Sequence, residues 1–220
     1  MQALDLISST LIYVSPSDTG SKALDIMDEF RVNHLAVVKD NFYLAIISDN
    51  EILSWNNTNE YIDEHLAELT SPNVIHSDHL FRIIEILEKN SLSIVPVLDE
   101  NKNYIGSITN RKLLFTIAKS TVIQSQGDLI VLEINQRDYD LSKVASIIES
   151  NNIKILSSYI TSKTGSAKTE LTLKLNSSEI DPVIKALERF NYNVVTSYRQ
   201  INNNDDFIDR YESLMRFLNP

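Results

Sequence analysis

Cysteine is absent from the 220 residues, which excludes disulfides, thiolate metal sites and a cysteine nucleophile. A chain without thiols suits a reducing compartment, and a cytoplasmic location is expected. Glycine is scarce and scattered, at Gly20, Gly106, Gly127 and Gly165. Phosphate-cradling loops need clustered glycines so that backbone N–H groups can approach the anion, so neither a P-loop nor a dinucleotide fingerprint can be written. Long apolar runs are missing too. Leu35–Val38 and Leu44–Ile47 span four residues each, against about 20 for a membrane span. Met1–Leu11 carries no basic residue ahead of its apolar positions, so no signal peptide is expected. Basic charge is also short, with 20 Lys and Arg against 30 Asp and Glu, a net of −10. Up to Ser120 there are 9 basic and 17 acidic residues, a net of −8, and beyond it 11 and 13, a net of −2. Nucleic acid and anionic membrane surfaces both demand a basic footprint, so neither is an expected partner.

What is present is a folded composition, 43% hydrophobic and 23% charged, with room for one large domain or two small ones. It is organised by an internal repeat. The stretch SDTGSKALDIMDEFRVNHLAVVKDNFYLAIISDNEIL from Ser17 matches SDHLFRIIEILEKNSLSIVPVLDENKNYIGSITNRKLL from Ser77. Asp18 matches Asp78, Met27 matches Leu87, and after Asn101 the second copy gains one residue, so Ser48 matches Thr109. In each copy Ser-Asp reads as a helix N-cap. An apolar stripe of period 3.6 follows, at Ala23, Leu24, Ile26, Met27 and Phe30, and at Leu80, Ile83, Ile84 and Leu87. Then come two strands around a polar turn, Lys39-Asp40-Asn41 or Asp99–Asn103, and a second helix opened by Ser48-Asp49 or Thr109-Asn110. A short strand, LIYV or NVI, precedes each unit. His76 and His79 have a spacing that could place two imidazoles on one helical face. Ser77-Asp78 as N-cap leaves His76 ahead of the helix, so two half-exposed histidines are expected there rather than a metal site.

The strand order and the endings YIGSITNRKLL and YLAIISDNEIL resemble the CBS domain, and two copies resemble a Bateman module. The signature residues are Gly106, Ile108, Thr109, Leu113 and Leu114 in the second copy. In the first they are Ile46, Ile47, Ser48, Ile52 and Leu53, with Ala45 in place of glycine. Pro96-Val97 matches the family's Pro-Val, and the first copy has Ala36-Val37. The resemblance implies an adenine-nucleotide cleft between the repeats, with AMP, ADP, ATP or S-adenosylmethionine as regulatory ligand. The ligand-binding residues it implies are Ser48, Glu51, Ile94, Pro96, Thr109, Asn110 and Lys112. Physically, a hydroxyl at a helix start can meet a phosphate, an acid one turn on can accept from ribose hydroxyls, and an apolar strand edge can hold a base. The family's ribose aspartate is Glu51 in one copy and Lys112 in the other. A carboxylate can accept, and an ammonium cannot. The Ser48–Glu51 cleft is therefore expected to clamp a ribose, and the Thr109–Lys112 cleft to favour more phosphate or stay empty.

The remainder reads as βαββαβ, the ferredoxin-like order. Its elements are DLIVLEIN, a helix opened by Asp138–Ser142, KILSSYIT, the alternating ELTLKLN, a helix over Ile180–Phe190, and NVVTSYRQ. RDYDLSKVASIIESNNIKILSSYI resembles the opening of an ACT domain. That family usually has a glycine where the first strand turns into the first helix, and Asp138–Asp140 stand there instead. An acidic turn repels a ligand carboxylate, so a packing or dimerisation role is favoured over amino-acid binding. Phe207, Tyr211, Leu214 and Leu218 recur at helical spacing, an amphipathic tail that packs on its own chain or across a dimer.

The expected fold class is α/β (α+β). A tandem CBS pair over 1–120, with repeats about 1–60 and 61–120, is followed by a linker over 121–127. An ACT-like domain over 128–200 and a C-terminal amphipathic helix over 201–220 complete it. That order resembles regulatory proteins of the acetoin-utilisation type. The expected function is non-enzymatic ligand sensing in a homodimer. The alternative is a dimerisation or scaffold protein with decayed sites. Catalysis is disfavoured, since His34, His65, His76 and His79 have no serine and acid partners identifiable in the sequence.

Overall fold

The computed structural model describes residues 1–198 apart from 9, 120, 163 and 164. The chain divides into two units, Met1–Lys119 and Ser120–Pro220. The helix expected over 201–220 lies outside the described residues.

The first unit holds the repeat. One copy runs β1 (Tyr13–Val14), α1 (Gly20–Phe30), β2 (His34–Lys39), β3 (Phe42–Ser48) and α2 (Asp49–Ser54). The other runs β4 (Val74–Ile75), α3 (Leu80–Lys89), β5 (Ile94–Leu98), β6 (Tyr104–Thr109) and α4 (Asn110–Ala118). Each makes a three-stranded sheet, β1-β2-β3 or β4-β5-β6, with a parallel pair on one side and an antiparallel hairpin on the other. The middle strands β2 and β5 are buried on both faces, which is why they read as unbroken apolar runs. The first hairpin turns on Asp40 and Asn41, both at positive φ, the conformation a tight two-residue loop requires. The second uses Asp99–Asn103, closed by Asp99 Oδ1 accepting from Asn101 N and Asn103 N at 2.8 Å. The extra residue of the second copy sits there.

Two helix starts differ from expectation. α1 is capped by Thr19 and α3 by His79, not by the preceding Ser-Asp pairs. Asp18 and Asp78 instead reach back, accepting from Ser15 N at 2.8 Å and Ile75 N at 2.9 Å. They close the turn before the helix, a competing use of a short carboxylate. On α3 the buried residues are Ile83, Ile86 and Leu87, and Ile84 is exposed.

The lead-in segments cross over. Residues before β1 lie on the second copy, with Ala3 N donating to Asp78 O at 2.9 Å and Ser8 N to Ser107 O at 3.0 Å. Residues before β4 lie on the first, with Ile62 N donating to Asp18 O at 3.0 Å and Ile46 N to Thr70 O at 2.9 Å. Two tyrosines at equivalent positions fasten the exchange. Tyr104 OH donates to Ile12 O, and Tyr43 OH to Pro72 O, both at 2.9 Å. Burial pushes Tyr104 up to about 12, so its hydroxyl remains a donor. One continuous core joins the copies, with Leu35, Ile47 and Ile52 from the first and Ile83, Ile94 and Ile108 from the second.

The second unit opens with a short helix, α5 (Thr121–Gln124), inside the segment expected to be linker. β7 (Leu129–Asn135), α6 (Leu141–Glu149), β8 (Ile155–Ser162), β9 (Lys168–Leu175), α7 (Asp181–Arg189) and β10 (Asn193–Tyr198) follow. The sheet is antiparallel with order β10-β7-β9-β8, the ferredoxin-like arrangement. Alternate residues of β7 and β9, Leu132 and Leu171 among them, share a core with Val144 and Ile148 of α6 and Val183 and Leu187 of α7.

Candidate functional site

The repeats meet where the chain enters β2 and β5. Asn33 N donates to Ser93 Oγ at 2.9 Å, and Ser93 N donates to His34 Nδ1 at 3.2 Å. Nδ1 therefore acts as an acceptor and carries no proton. The Ser93 hydroxyl, 3.1 Å away, can donate to the same atom. Burial holds His34 below its ordinary pKa against the upward pull of Asp49 and Glu51, which suits a neutral ring. Both second helices hang from this seam. Asp49 N donates to Asn33 O and Asn110 N to Ser93 O, each at 3.0 Å. Asn33 Nδ2 also reaches Asp49 Oδ2 at 2.6 Å, and Asn110 Nδ2 reaches Leu92 O at 2.9 Å.

The two helix starts are chemically unlike. Ser48 and Glu51 consume each other: Ser48 N and Ser48 Oγ both donate to Glu51 Oε2 at 2.7 Å, and Ser48 Oγ accepts from Glu51 N at 3.1 Å. This is a closed capping box. Thr109 Oγ1 accepts from Lys112 N at 3.0 Å, and its own proton has no protein acceptor among the described residues. Lys112 is exposed and in no ion pair among them. Asn110 is tied to the seam, so its amide serves as a brace.

Ile94 and Pro96 are buried, and Ile94 is part of the core. What β5 can offer a ligand is backbone. β4 pairs only with Val97 and Leu98, so no strand flanks Ile94 and Val95 on that edge among the described residues. Sequence reasoning missed Asn33, His34 and Ser93. The available signal was that Asn33 and Ser93 are equivalent positions sixty residues apart, immediately before the paired strands.

Each histidine has a local task. His34 bridges the repeats. His65 stacks on Trp55 with ring centroids 4.0 Å apart and has Nε2 2.8 Å from Glu60 Oε2. His79 caps α3, and His76 lies ahead of it, 3.9 Å from Glu100. In the second unit Asp140 Oδ1 accepts from Ser142 Oγ at 2.6 Å, Ser142 N at 3.1 Å and Lys143 N at 3.3 Å. The Ser142 hydroxyl, with these amides, holds Asp140 below its usual range. A cavity of about 840 Å³ adjoins this turn, walled by Glu133, Asp138, Lys143, Ile147 and Tyr192 among others.

The family profile described as CBS domain matches residues 3–57 and 71–119. The first unit thus carries tandem CBS domains, within a mixed α/β (α+β) chain. An uncharacterized protein of Methanocaldococcus jannaschii is 26% identical over 161 residues, 68% of this chain and 37% of its own length. A homoserine O-acetyltransferase of Methanocorpusculum labreanum is 27% identical over 127 residues, 56% of this chain and 25% of its own length. The chain therefore spans well under half the length of these curated relatives. Among solved structures, a CBS domain pair/ACT domain protein from Thermotoga maritima aligns at 15% identity and a TM-score of 0.49, covering 55% of this chain and 99% of that one. CBSX2 in complex with AMP aligns at 20% and 0.45, covering 54% and 96%. The CBS domain pair of protein MJ0100, in complex with 5′-methylthioadenosine and S-adenosyl-L-methionine, aligns at 19% and 0.45, covering 54% and 96%. Among the described residues no helix is long and apolar enough to cross a membrane.

Proposed function

We propose that this chain is a non-enzymatic regulatory protein whose CBS pair senses an adenine nucleotide, working as a cytoplasmic homodimer. The observation that carries the reading is the uncommitted Thr109 hydroxyl and Lys112 ammonium at the start of α4, a nine-residue helix. A hydroxyl that can still donate and a cation, set at a helix start whose Asn110 and Lys112 N–H groups are already bonded, together suit a phosphate. At the Ser48–Glu51 end both cap bonds fall on Glu51 Oε2, which leaves Oε1 for a ribose hydroxyl, but its first turn carries Asp49 and Glu51 rather than a cation, so the phosphate-bearing end dominates. The base lies in this reading against the unflanked Ile94–Pro96 edge, and Asn110 braces the helix. The local duties of the four histidines also favour sensing over catalysis.

Calorimetric titration of the full chain with AMP, ADP, ATP and S-adenosylmethionine tests this. Affinity is expected to rise with phosphate count. Lys112→Ala should weaken ATP about tenfold, the scale of a charge-assisted hydrogen bond, and leave S-adenosylmethionine unchanged. Glu51→Ala should leave ATP within about twofold. Loss of AMP binding in Glu51→Ala alone would move the ligand to the first repeat. No heat at millimolar concentration would favour the second reading, a dimerisation platform with decayed sites, to which the closed Ser48–Glu51 box points.

In the same reading the second unit is an ACT-type packing or dimerisation domain that takes no free amino acid, because Asp138 lines its cavity and Asp140 stands in the same turn. A thermal shift of several degrees with serine or valine would overturn that, since tight binding at a hundredfold excess stabilises by about 2.7 kcal/mol.

A further inference from the structure

Asn33 and Ser93 are equivalent positions, and each supplies the carbonyl from which a second helix hangs, α2 by Asp49 N and α4 by Asn110 N. The next residue is His34 in the first copy and Ile94 in the second, so the seam holds a single imidazole. That ring does not serve the two copies alike. Asn33 N is held by the Ser93 hydroxyl at 2.9 Å, an oxygen that accepts whatever the state of the ring. Ser93 N is held by His34 Nδ1 at 3.2 Å, and a protonated Nδ1 cannot accept. A proton there sets N–H against N–H. The Ser93 hydroxyl, 3.1 Å away, can take the new hydrogen bond, but the Ser93 amide loses its own. The charges acting on the ring are Asp49 and Glu51 of α2. Ser48 lies across from it on β3 and is uncharged. Asp28, Glu29 and Arg31 at the end of α1, Glu88 and Lys89 at the end of α3, and Arg111 and Lys112 on α4 add nothing to the pull of those two carboxylates.

We propose that His34 is a positioning residue for the Thr109–Lys112 site, and that a proton on its Nδ1 loosens the start of α4 and weakens phosphate binding there. The inference deepens the phosphate reading of that site and rests on it. The lever is one peptide group. Leu92 O and Ser93 N belong to the same planar unit. Asn110 Nδ2 grips its carbonyl at 2.9 Å, and His34 Nδ1 grips its N–H. The next carbonyl, Ser93 O, holds Asn110 N at 3.0 Å. Both bonds that fix the start of α4 to the seam therefore depend on a peptide that His34 keeps in place. Thr109 and Lys112 can meet one phosphate only while that start is fixed. The first copy has no such lever, because α2 is closed by the Ser48–Glu51 box and Asn33 is held by a hydroxyl. Histidine changes charge between about pH 5 and pH 8, and burial of this ring puts the change on the acid side of neutral. Protonation and phosphate binding oppose each other, so ATP binding should in turn expel a proton.

NMR of the ligand-free full chain between pH 7.5 and pH 5 reads the seam directly. The Ser93, Asn110 and Lys112 amide shifts should follow the His34 ring through one common midpoint. In His34→Gln, whose side-chain oxygen keeps an acceptor, they should stay flat. Calorimetry then reads the site. Over the same range wild-type affinity for ATP should fall about fivefold more than that of His34→Gln, the scale of one hydrogen bond. The comparison removes the titration of ATP itself. At pH 7.5 His34→Gln should bind as the wild type does, and His34→Ala, with no acceptor, about fivefold more weakly. Asn110 and Lys112 shifts that ignore the titration of His34 would overturn the proposal whether or not a nucleotide binds. So would equal pH profiles in wild type and His34→Gln, or wild-type affinity in His34→Ala. A wild type that takes no ATP at either pH would end the phosphate reading, while the amide shifts still decide whether His34 sets the start of α4.

Discussion

The two repeats of the first unit share a fold and differ in how each position is filled, and the differences are paired. The first repeat has Gly20 and Trp55 where the second has Leu80 and Thr116. A Cβ on Gly20 would stand 2.6 Å from the Trp55 ring and 2.7 Å from Ile52, so the absence of a side chain is what admits the indole. The first repeat closes its helix start with Ser48 and Glu51, whereas in the second Thr109 is half-buried and caps through Lys112 N alone, and the Lys112 side chain is exposed. The first is acidic on its helices, and the second is apolar and basic. One repeat ties its helix start with its own side chains, and the other keeps groups available.

The harshest break of that comparison is Gly20→Leu, which forces a second-repeat side chain into first-repeat packing. It should lower stability by about 3 kcal/mol in denaturant unfolding, the upper range for overpacking. Adding Trp55→Thr, which completes the graft of the second repeat's pair, should recover the part due to the indole, while Ile52 and the Thr58 carbonyl, 2.7 and 2.9 Å from the new Cβ, keep the rest. Failure to recover would mean that the two positions are filled independently.

The tyrosine straps come next. Tyr104 OH is buried and bonded to both Ile12 O and Ser107 Oγ, the latter at 2.8 Å. Tyr43 OH is part-buried with one acceptor. Tyr104→Phe leaves two buried groups short and should lose about 2 kcal/mol, against nearer 1 for Tyr43→Phe. Equal losses would erase the asymmetry.

A smaller effect is a pH dependence at the seam. The folded pKa of His34 lies below its unfolded value of 6.5, so the unfolded chain binds the proton more readily. Its contribution is present above pH 6.5 and is lost as pH falls through the folded value. Thermal unfolding midpoints should drop between pH 7 and pH 5, and His34→Gln should flatten the slope, since a glutamine oxygen can accept from Ser93 N. The smallest effect is at Arg31, which ends α1 at φ 53°. Arg31→Gly should gain up to about 1 kcal/mol, as should Ser91→Gly at the equivalent φ of 51°.

Periodicity made the strands and helices legible, because β2 and β5 are continuous apolar runs and β9 alternates strictly. It misjudged Ile84 because an amphipathic stripe four residues wide does not say which edge meets the core. It placed the caps of α1 and α3 too early because an aspartate serves a preceding turn as readily as a helix. The candidate site was legible as a set of positions and less so as chemistry. Ser48-x-x-Glu51 is a ligand set by resemblance and a capping box by physics, and one spacing serves both. The seam of Asn33, His34 and Ser93 was hidden because an internal repeat tells which residues correspond, not which ones touch.

The crossed lead-ins carry a consequence for how the chain comes into being. Residues 1–8 rest on the second copy, against Asp78 and Ser107, so their partners emerge from the ribosome roughly 75 to 100 residues later. The first copy must likewise wait for Ile62 and Thr70 to cover α1 and β3. Neither repeat can be completed during synthesis by itself. Until β6 is out, Ala3 and Leu6, fully buried at the end, have nowhere to go, and a chain halted at residue 60 would present both a missing cover and an unused one.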